Sequence, residues 1–160
     1  MSAVYTLEEK ESFVVTGIGT ELKSDYTDYE GMNKEKESFW REVEQDGRLE
    51  ALKCVAANTY LFAVNEAVNQ KMMYYAGVLT NADVPEADRL IQFPKSTYLV
   101  VKGEGKTADE LSSKLTGLAF GQALPAADRY AYVGGPNATV EMGRNGDKVY
   151  GEMWIPVVAK

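Results

Sequence analysis

One stretch near the C-terminus decides how this chain folds: KVYGEMWIPV, residues 148–157. Its side chains alternate between two faces, as they do along a β-strand. The first face holds apolar or small residues typical of a core, namely Val149, Gly151, Met153 and Ile155. The second face holds a carboxylate between two aromatic rings, namely Tyr150, Glu152 and Trp154. A carboxylate is costly in a core and useful in a pocket, so we interpret the second face as a ligand-binding surface. The alternative is a solvated outer face with ordinary charges.

The preceding residues, VEMGRNGD (140–147), predict how this strand pairs. Asn145-Gly146 favours a two-residue hairpin turn, because both central residues of a type I′ turn need positive φ. If Arg144 and Asp147 close that turn, Glu141 lies opposite Tyr150. Cross-strand partners share a face, so we expect Glu141 and Glu152 on one surface, with Cα atoms roughly 7–8 Å apart.

Composition limits the possible functions. The chain has 160 residues, of which 45% are apolar, and this suits a single globular domain. Its net charge of −7 argues against nucleic acid and anionic membranes as partners and favours cationic ligands. The absence of histidine excludes His-dependent catalysis and His metal sites, so acid–base chemistry would fall to Glu, Asp, Tyr or Lys. We expect no metal and no cofactor.

Cysteine content and the first residues bear on the cellular location. Cys54 is the single cysteine, so the chain forms no internal disulfide. The N-terminus, MSAVYTLEEKESF, lacks the basic and apolar segments of a secretion signal, and no apolar run approaches membrane-spanning length. We therefore expect a cytoplasmic protein.

The order of predicted elements indicates an internal duplication. We predict a strand at 11–19, a helix at 29–46, and strands at 58–64 and 71–79. After a linker at about 81–94 the pattern repeats: a strand at 97–105, a helix that starts at the capping box Thr107 to Glu110, a short helix or turn at about 119–129, and a hairpin at 137–157. The chain thus reads as one domain, 1–160, built from modules at about 1–80 and 95–160.

Two short alignments support this duplication. LVVKGEG at 99–105 repeats FVVTGIG at 13–19, with an offset of 86 positions. Aligning Tyr75 with Trp154 also places Met73 on Glu152.

These features together resemble the GyrI-like small-molecule-binding superfamily. The resemblance rests on the two β-α-β-β modules, on YYAGV and EMWIPV ending them, and on GGPNATVEM before the last hairpin. It implies an α+β fold of duplicated modules with pseudo-twofold symmetry, in which an antiparallel sheet carries its helices on one face and a ligand cleft on the other. The chain has no helix-turn-helix before its first strand, so it resembles the stand-alone members rather than the regulators.

The resemblance also implies a set of site residues. Glu141 matches the family's pre-hairpin glutamate and Glu152 the acidic position before WIP, while Tyr75, Tyr150 and Trp154 match aromatic wall positions. Met73 is expected to line the same cleft, and Trp40, on the first helix, to lie in the core or at the cleft rim. If the site is catalytic, Glu152 is the natural general base, assisted by the hydroxyl of Tyr150 or Tyr75.

Three functional classes stay open at this point. The chain is a non-catalytic binder or sensor of planar aromatic or cationic xenobiotics, a hydrolase of cyclopropanoid toxins, as some stand-alone relatives are, or a protein-binding inhibitor like the gyrase inhibitor that names the superfamily. The scattered acidic residues do not form the block that DNA mimicry needs, so the third class ranks last.

Overall fold

The structure is a computed structural model that describes residues 5–25, 27–82, 84–132 and 136–160. Its strands are β1 (Thr6–Lys10), β2 (Phe13–Glu21), β3 (Leu61–Val68), β4 (Lys71–Leu79), β5 (Arg89–Phe93), β6 (Ser96–Gly105), β7 (Tyr130–Tyr132), β8 (Asn137–Asn145) and β9 (Lys148–Ala159). Its helices are α1 (Tyr29–Gln45), α2 (Arg48–Lys53), α3 (Ala108–Leu118), a π-helical turn (Ala119–Ala123) and α4 (Leu124–Ala126). Within these described ranges, no helix is long and apolar enough to span a membrane.

The strands form one antiparallel sheet in the order β1-β6-β9-β8-β3-β4-β2-β5, with β7 added to β9. The order is symmetric about the β8–β3 pair, since β6-β9-β8 mirrors β2-β4-β3. Each outer strand precedes one module along the chain but pairs with the other: β1 pairs with β6, and β5 pairs with β2. The duplicated β-α-β-β architecture predicted from the sequence is therefore confirmed.

The sheet curls because its two ends are tied together by short connections. Two residues separate β1 from β2, and two separate β5 from β6, although each pair lies near opposite ends of the strand order. Such a connection spans at most about 11 Å. Phe13 on β2 accordingly reaches across the curl, with its ring centroid 6.1 Å from that of Tyr98 on β6 and 5.7 Å from that of Trp154 on β9.

The inside of the curl is a dry core. Its buried members include Phe62, Phe93, Tyr98 and Trp154, with Phe13 packed against them. The helices lie on the other face in two separate clusters. In one, α1 and α2 pack on β2 and β4, and in the other α3 packs on β6 and β9.

The helix boundaries follow from local capping. The Asp28 carboxylate accepts a hydrogen bond from the Gly31 N–H at the start of α1, and the Thr107 hydroxyl accepts one from the Glu110 N–H at the start of α3. The Glu110 carboxylate accepts in turn from the backbone of Lys106, one residue before the position that a regular capping box would use. At Gly47 the chain turns with φ of +85°, which ends α1 and begins α2.

Four elements were absent from the sequence-based prediction, namely β1, α2, β5 and β7. The segment 81–94 that we predicted as a linker contains β5, which completes the edge of the first module. The offset of 86 positions, which aligns Gly17 with Gly103, is also wrong by one residue, because the two glycines lie on opposite faces of the sheet. Gly17 packs against Tyr75 inside the curl, whereas Gly103 packs against Leu115 of α3 on the outer face.

The predicted register of the last hairpin is wrong, and one extra residue is the cause. The turn is centred on Gly146 and Asp147, because Asn145 pairs with Lys148. This displacement alone would keep every side chain on its expected face. A bulge between Glu141 and Gly143 then inserts a single residue, which pairs Glu141 with Gly151. Since a one-residue slip reverses the faces, Glu141 projects toward the helices, whereas Tyr150 and Glu152 project the other way.

This register gives a stability prediction at Gly151. A Cβ atom there would overlap the backbone carbonyl oxygen of Val140, so Gly151→Ala should destabilise the fold by about 3 kcal/mol or more in urea unfolding. The control is Gly117→Ala in α3, where an added Cβ meets no atom within 4 Å. This change should be neutral or stabilise by up to about 1 kcal/mol. Equal midpoints for the two variants would contradict the bulged pairing.

Candidate functional site

A cavity of about 350 Å³ opens on the helix face, between α1 and α3. It exists because α1 packs mainly over β2 and β4 while α3 packs mainly over β6 and β9, so the helices cover the central pair β3–β8 only in part. Its floor is formed by side chains of these two strands, namely Leu61, Ala63, Thr139 and Glu141. The cavity is thus on the face opposite to the one where we expected the cleft, and the expected face is filled by the aromatic core.

Trp40 and Tyr74 form the aromatic part of the cavity. The indole N–H of Trp40 donates a hydrogen bond of 2.7 Å to the Tyr74 hydroxyl oxygen, which fixes both rings. Burial raises the pKa of Tyr74 far above its ordinary value of 10, so this phenol stays protonated at any physiological pH. No described residue accepts the Tyr74 proton in the hydrogen bonds of the structure, and the hydroxyl can therefore donate to a ligand.

Carboxyl groups lie around these rings. Burial raises the pKa of Glu141 above 4.5, and the charge of Glu44 adds to the rise, whereas Arg144 opposes it. Asp109, in the first turn of α3, also has a raised pKa, caused first by burial and then by the charge of Glu37. A cationic ligand would relieve both effects, because it supplies positive charge to a group of carboxylates that burial and mutual repulsion disfavour.

Two of the seven predicted site residues lie in this cavity, Glu141 and Trp40. The other five do not line it; they are Met73, Tyr75, Tyr150, Glu152 and Trp154. The expected cluster of Glu141 with Glu152 does not form, since the two carboxylates project from opposite faces of the sheet.

Trp154 and Glu152 bind each other on the inner face. Trp154 is 8% exposed and packs edge-on against Phe13 and Phe62. Its indole N–H donates to the Glu152 carboxylate at 2.8 Å, and the Lys102 ammonium lies 3.8 Å from the other oxygen. With its oxygens held by these two partners, Glu152 has structural contacts that a general base would have to give up.

The remaining predicted residues of that face have packing roles. The Tyr75 ring covers Gly19, where an added Cβ would come within 2.6 Å of it. Burial, followed by the charge of Glu66, raises the pKa of Tyr75. Met73 packs against the inner core, and Tyr150 is 41% exposed beside Gly143.

Sequence reasoning missed Tyr74, Glu44 and Asp109. Adjacent tyrosines in a strand face opposite sides, so only one ring of YYAGV can line this cavity, and it is Tyr74 rather than the predicted Tyr75. Gly143 was the signal for the correct assignment, because a glycine within a strand often marks a bulge. Among the described residues, no group of three or more His, Cys, Asp or Glu side chains has a metal-binding arrangement.

Several solved structures share this fold. SAV2435 bound to tetraphenylphosphonium matches with a TM-score of 0.79 and 17% identity, over 99% of this chain and 94% of that one. A putative bacterial transcription regulation protein from Staphylococcus aureus MU50 matches with a TM-score of 0.73 and 19% identity, over 98% and 99%. The integron cassette protein VCH_CASS2, from the mobile metagenome of Vibrio cholerae, matches with a TM-score of 0.65 and 10% identity, over 96% and 95%.

At these identities the likeness shows the fold alone. No curated protein matches the sequence. The family model Cass2, described as an integron-associated effector binding protein, matches residues 6–157, which is nearly the whole chain. The chain therefore belongs to the family of integron-associated effector-binding proteins, in agreement with the GyrI-like resemblance of its sequence.

Proposed function

We propose that this chain is a cytoplasmic protein that binds planar aromatic or cationic xenobiotics in the cavity between α1 and α3. One observation carries the proposal: Glu141 is a carboxyl group of raised pKa in the floor of a cavity that Trp40 and Tyr74 also line. Flat aromatic rings pack well on such walls, and a buried carboxylate attracts a positive charge. Membership of an effector-binding family makes a small molecule the expected ligand.

The relatives are compatible with this choice. SAV2435 was solved with tetraphenylphosphonium, which is an aromatic cation. A binder of this kind serves either to sequester a drug or to sense it for a partner. The net charge of −7 disfavours direct contact of this chain with nucleic acid, so a sensing role would need a partner protein. A gyrase-inhibitor-like role ranks below both, since it makes no use of the cavity.

The fluorescence of the two tryptophans can show which face of the sheet binds the ligand. Trp40 lines the cavity, and Trp154 lies in the core on the opposite face. Tetraphenylphosphonium should perturb the fluorescence of the variant Trp154→Phe, which retains Trp40, by contact with that indole. It should leave the emission of Trp40→Phe, which retains Trp154, nearly unchanged. Circular dichroism of both variants controls for folding. A response confined to Trp154 would place the site on the inner face.

Glu141→Gln tests the charge of the site. Removal of the carboxylate should weaken tetraphenylphosphonium binding about tenfold at neutral pH, because an ionised partner in a buried site is lost. The affinity of the parent should fall as the pH is lowered through the raised pKa of Glu141, since the neutral acid no longer attracts a cation. The affinity of Glu141→Gln should depend less on pH, and the part of the dependence that Asp109 causes should remain.

Glu152→Gln is the matched control, on the inner face of the sheet. Its affinity should equal that of the parent in calorimetric titration. A loss with Glu152→Gln and none with Glu141→Gln would return the site to the residues first predicted from the sequence.

Hydrolysis of a cyclopropanoid electrophile is a second candidate function. The observation in its favour is that Glu141, with its raised pKa, and Tyr74, a protonated phenol oriented by Trp40, line the same cavity. Glu141 would take a proton from water while the water oxygen attacks the cyclopropane carbon. The broken carbon–carbon bond then delivers its electron pair to the conjugated dienone, whose oxygen becomes a phenolate that Tyr74 stabilises by donating a hydrogen bond.

This candidate predicts a loss of turnover at a residue different from our first choice of base. Glu141→Gln should reduce hydrolysis of a cyclopropanoid substrate by roughly 10²–10⁴-fold, the usual contribution of a positioned base. Tyr74→Phe should also reduce it, whereas Glu152→Gln should not. Product analysis by mass spectrometry measures all three. If the parent forms no hydrated product from cyclopropanoids that it binds, the binding function stands alone.

A further inference from the structure

A second compartment of about 530 Å³ continues the cavity toward the N-terminal end of α1. Met32 and Phe120 are its large apolar side chains, and Phe120 is 40% exposed. Four residues line both compartments and so mark the junction, namely Asn33, Lys36, Ser112 and Ser113. The N-terminal half of α1 therefore faces the C-terminal half of α3, and the two helices bound one continuous groove.

The charges along this groove are divided. The carboxyl groups Glu37, Glu44, Asp109 and Glu141 line the first compartment and do not line the second. Lys36 stands at the junction, eight residues before Glu44 and about 12 Å from it along the helix axis. The groove thus has an acidic end and a cation at its middle.

Lys36 differs from the other cations of the groove. The charge of Arg41 acts on Asp109, and that of Arg144 acts on Glu141, so both already accompany carboxylates. No ion pair between residues that the structure describes includes Lys36. Burial alone lowers its pKa, with no charged neighbour contributing. Its ammonium lies 4.9 Å from the centre of the Tyr74 ring, which is an attractive cation–π contact.

The position of Lys36 limits which ligands fit. A purely cationic ligand that binds beside Tyr74 meets the Lys36 ammonium, which lies over that ring, and like charges repel in a site of low dielectric. A ligand with an anionic oxygen at this point instead gives Lys36 the partner that it lacks. We propose that the groove is bipolar and selects amphoteric aromatic ligands, with a cationic group among Glu44, Asp109 and Glu141 and a carboxylate or phenolate oxygen at Lys36. This inference rests on the proposed function, because it assumes that the cavity is the ligand site.

Two dyes with the same aromatic cation provide the test. Rhodamine 123 is a methyl ester with a net positive charge, and rhodamine 110 is the corresponding free acid, a zwitterion. Fluorescence anisotropy gives the dissociation constant of each. Lys36→Met should weaken binding of the acid about tenfold, since a charge-assisted hydrogen bond is lost, and should leave binding of the ester unchanged or tighter. Lys36→Arg should retain most of the parent's preference for the acid.

Lys34→Met is the matched control. Lys34 lies on the same helix with its side chain 74% exposed, and its ion pair is with Glu30 at the surface. The Lys34→Met substitution removes one positive charge from α1, as Lys36→Met does, but outside the groove, so it should change neither dissociation constant.

The possible results distinguish a failure of the bipolar-groove inference from a failure of the proposed binding function. If both dyes bind the parent but Lys36→Met changes the two affinities by the same factor, Lys36 does not recognise an anion and the bipolar groove is wrong, while the binding function stands. If neither dye binds the parent, the inference and the proposed ligand class both fail.

Discussion

The short connections between opposite ends of the sheet constrain everything else in this molecule. With two residues between β1 and β2 and two between β5 and β6, the sheet must curl until its ends approach each other. The curl encloses one face, and aromatic side chains fill it from strands that are not neighbours in the sheet. The helices and the cavity lie on the other face.

The cavity lies between the two helix clusters, which are not in contact as one core. Each module covers its own strands with its own helix, and the gap lies over β3 and β8, where the modules join. An ionised carboxyl group in this cavity lowers the stability of the fold. The raised pKa of Glu141 means that the folded state holds its proton more tightly than the unfolded state does, so this group's contribution to stability falls as pH rises from the unfolded to the folded pKa. A bound cation offsets that cost, which couples ligand binding to stability.

The sequence was sufficient for the architecture and insufficient for the site, for reasons visible at particular residues. Alternation along β9 separated Met153 from Trp154 correctly, and the Thr107 cap and the order of elements gave α3 and the duplication. The edge strands β1 and β5 have only five residues each, and they pair with strands that are distant in the sequence, so local patterns did not reveal them.

The predicted register of the last hairpin differs from the observed one because of a single backbone irregularity. Side chains along a strand alternate between its two faces, so the face of each residue can be predicted by counting from the turn. One extra residue reverses the assignment of every residue beyond it, and the bulge beside Gly143 has this effect on Glu141. The residue types of the site were therefore foreseen, a glutamate with aromatic rings, while the set that meets in space was not. Tyr74 and Tyr75 show how strongly the predicted site depends on face assignment. They are neighbours in sequence, yet Tyr74 lines the cavity and Tyr75 lies in the inner core.

The exchange of outer strands between the modules has a consequence for how the chain folds. Thr6 pairs with Val100 and Phe13 with Phe93, so neither half completes its own sheet. Closure of such distant contacts favours slow, late formation of the sheet edges, after the local helix and hairpin contacts of each half. A single module would leave the same edges open, and two copies of it would satisfy each other by donating their first strands. The present chain has the connectivity of such a strand-exchanged pair joined in one polypeptide.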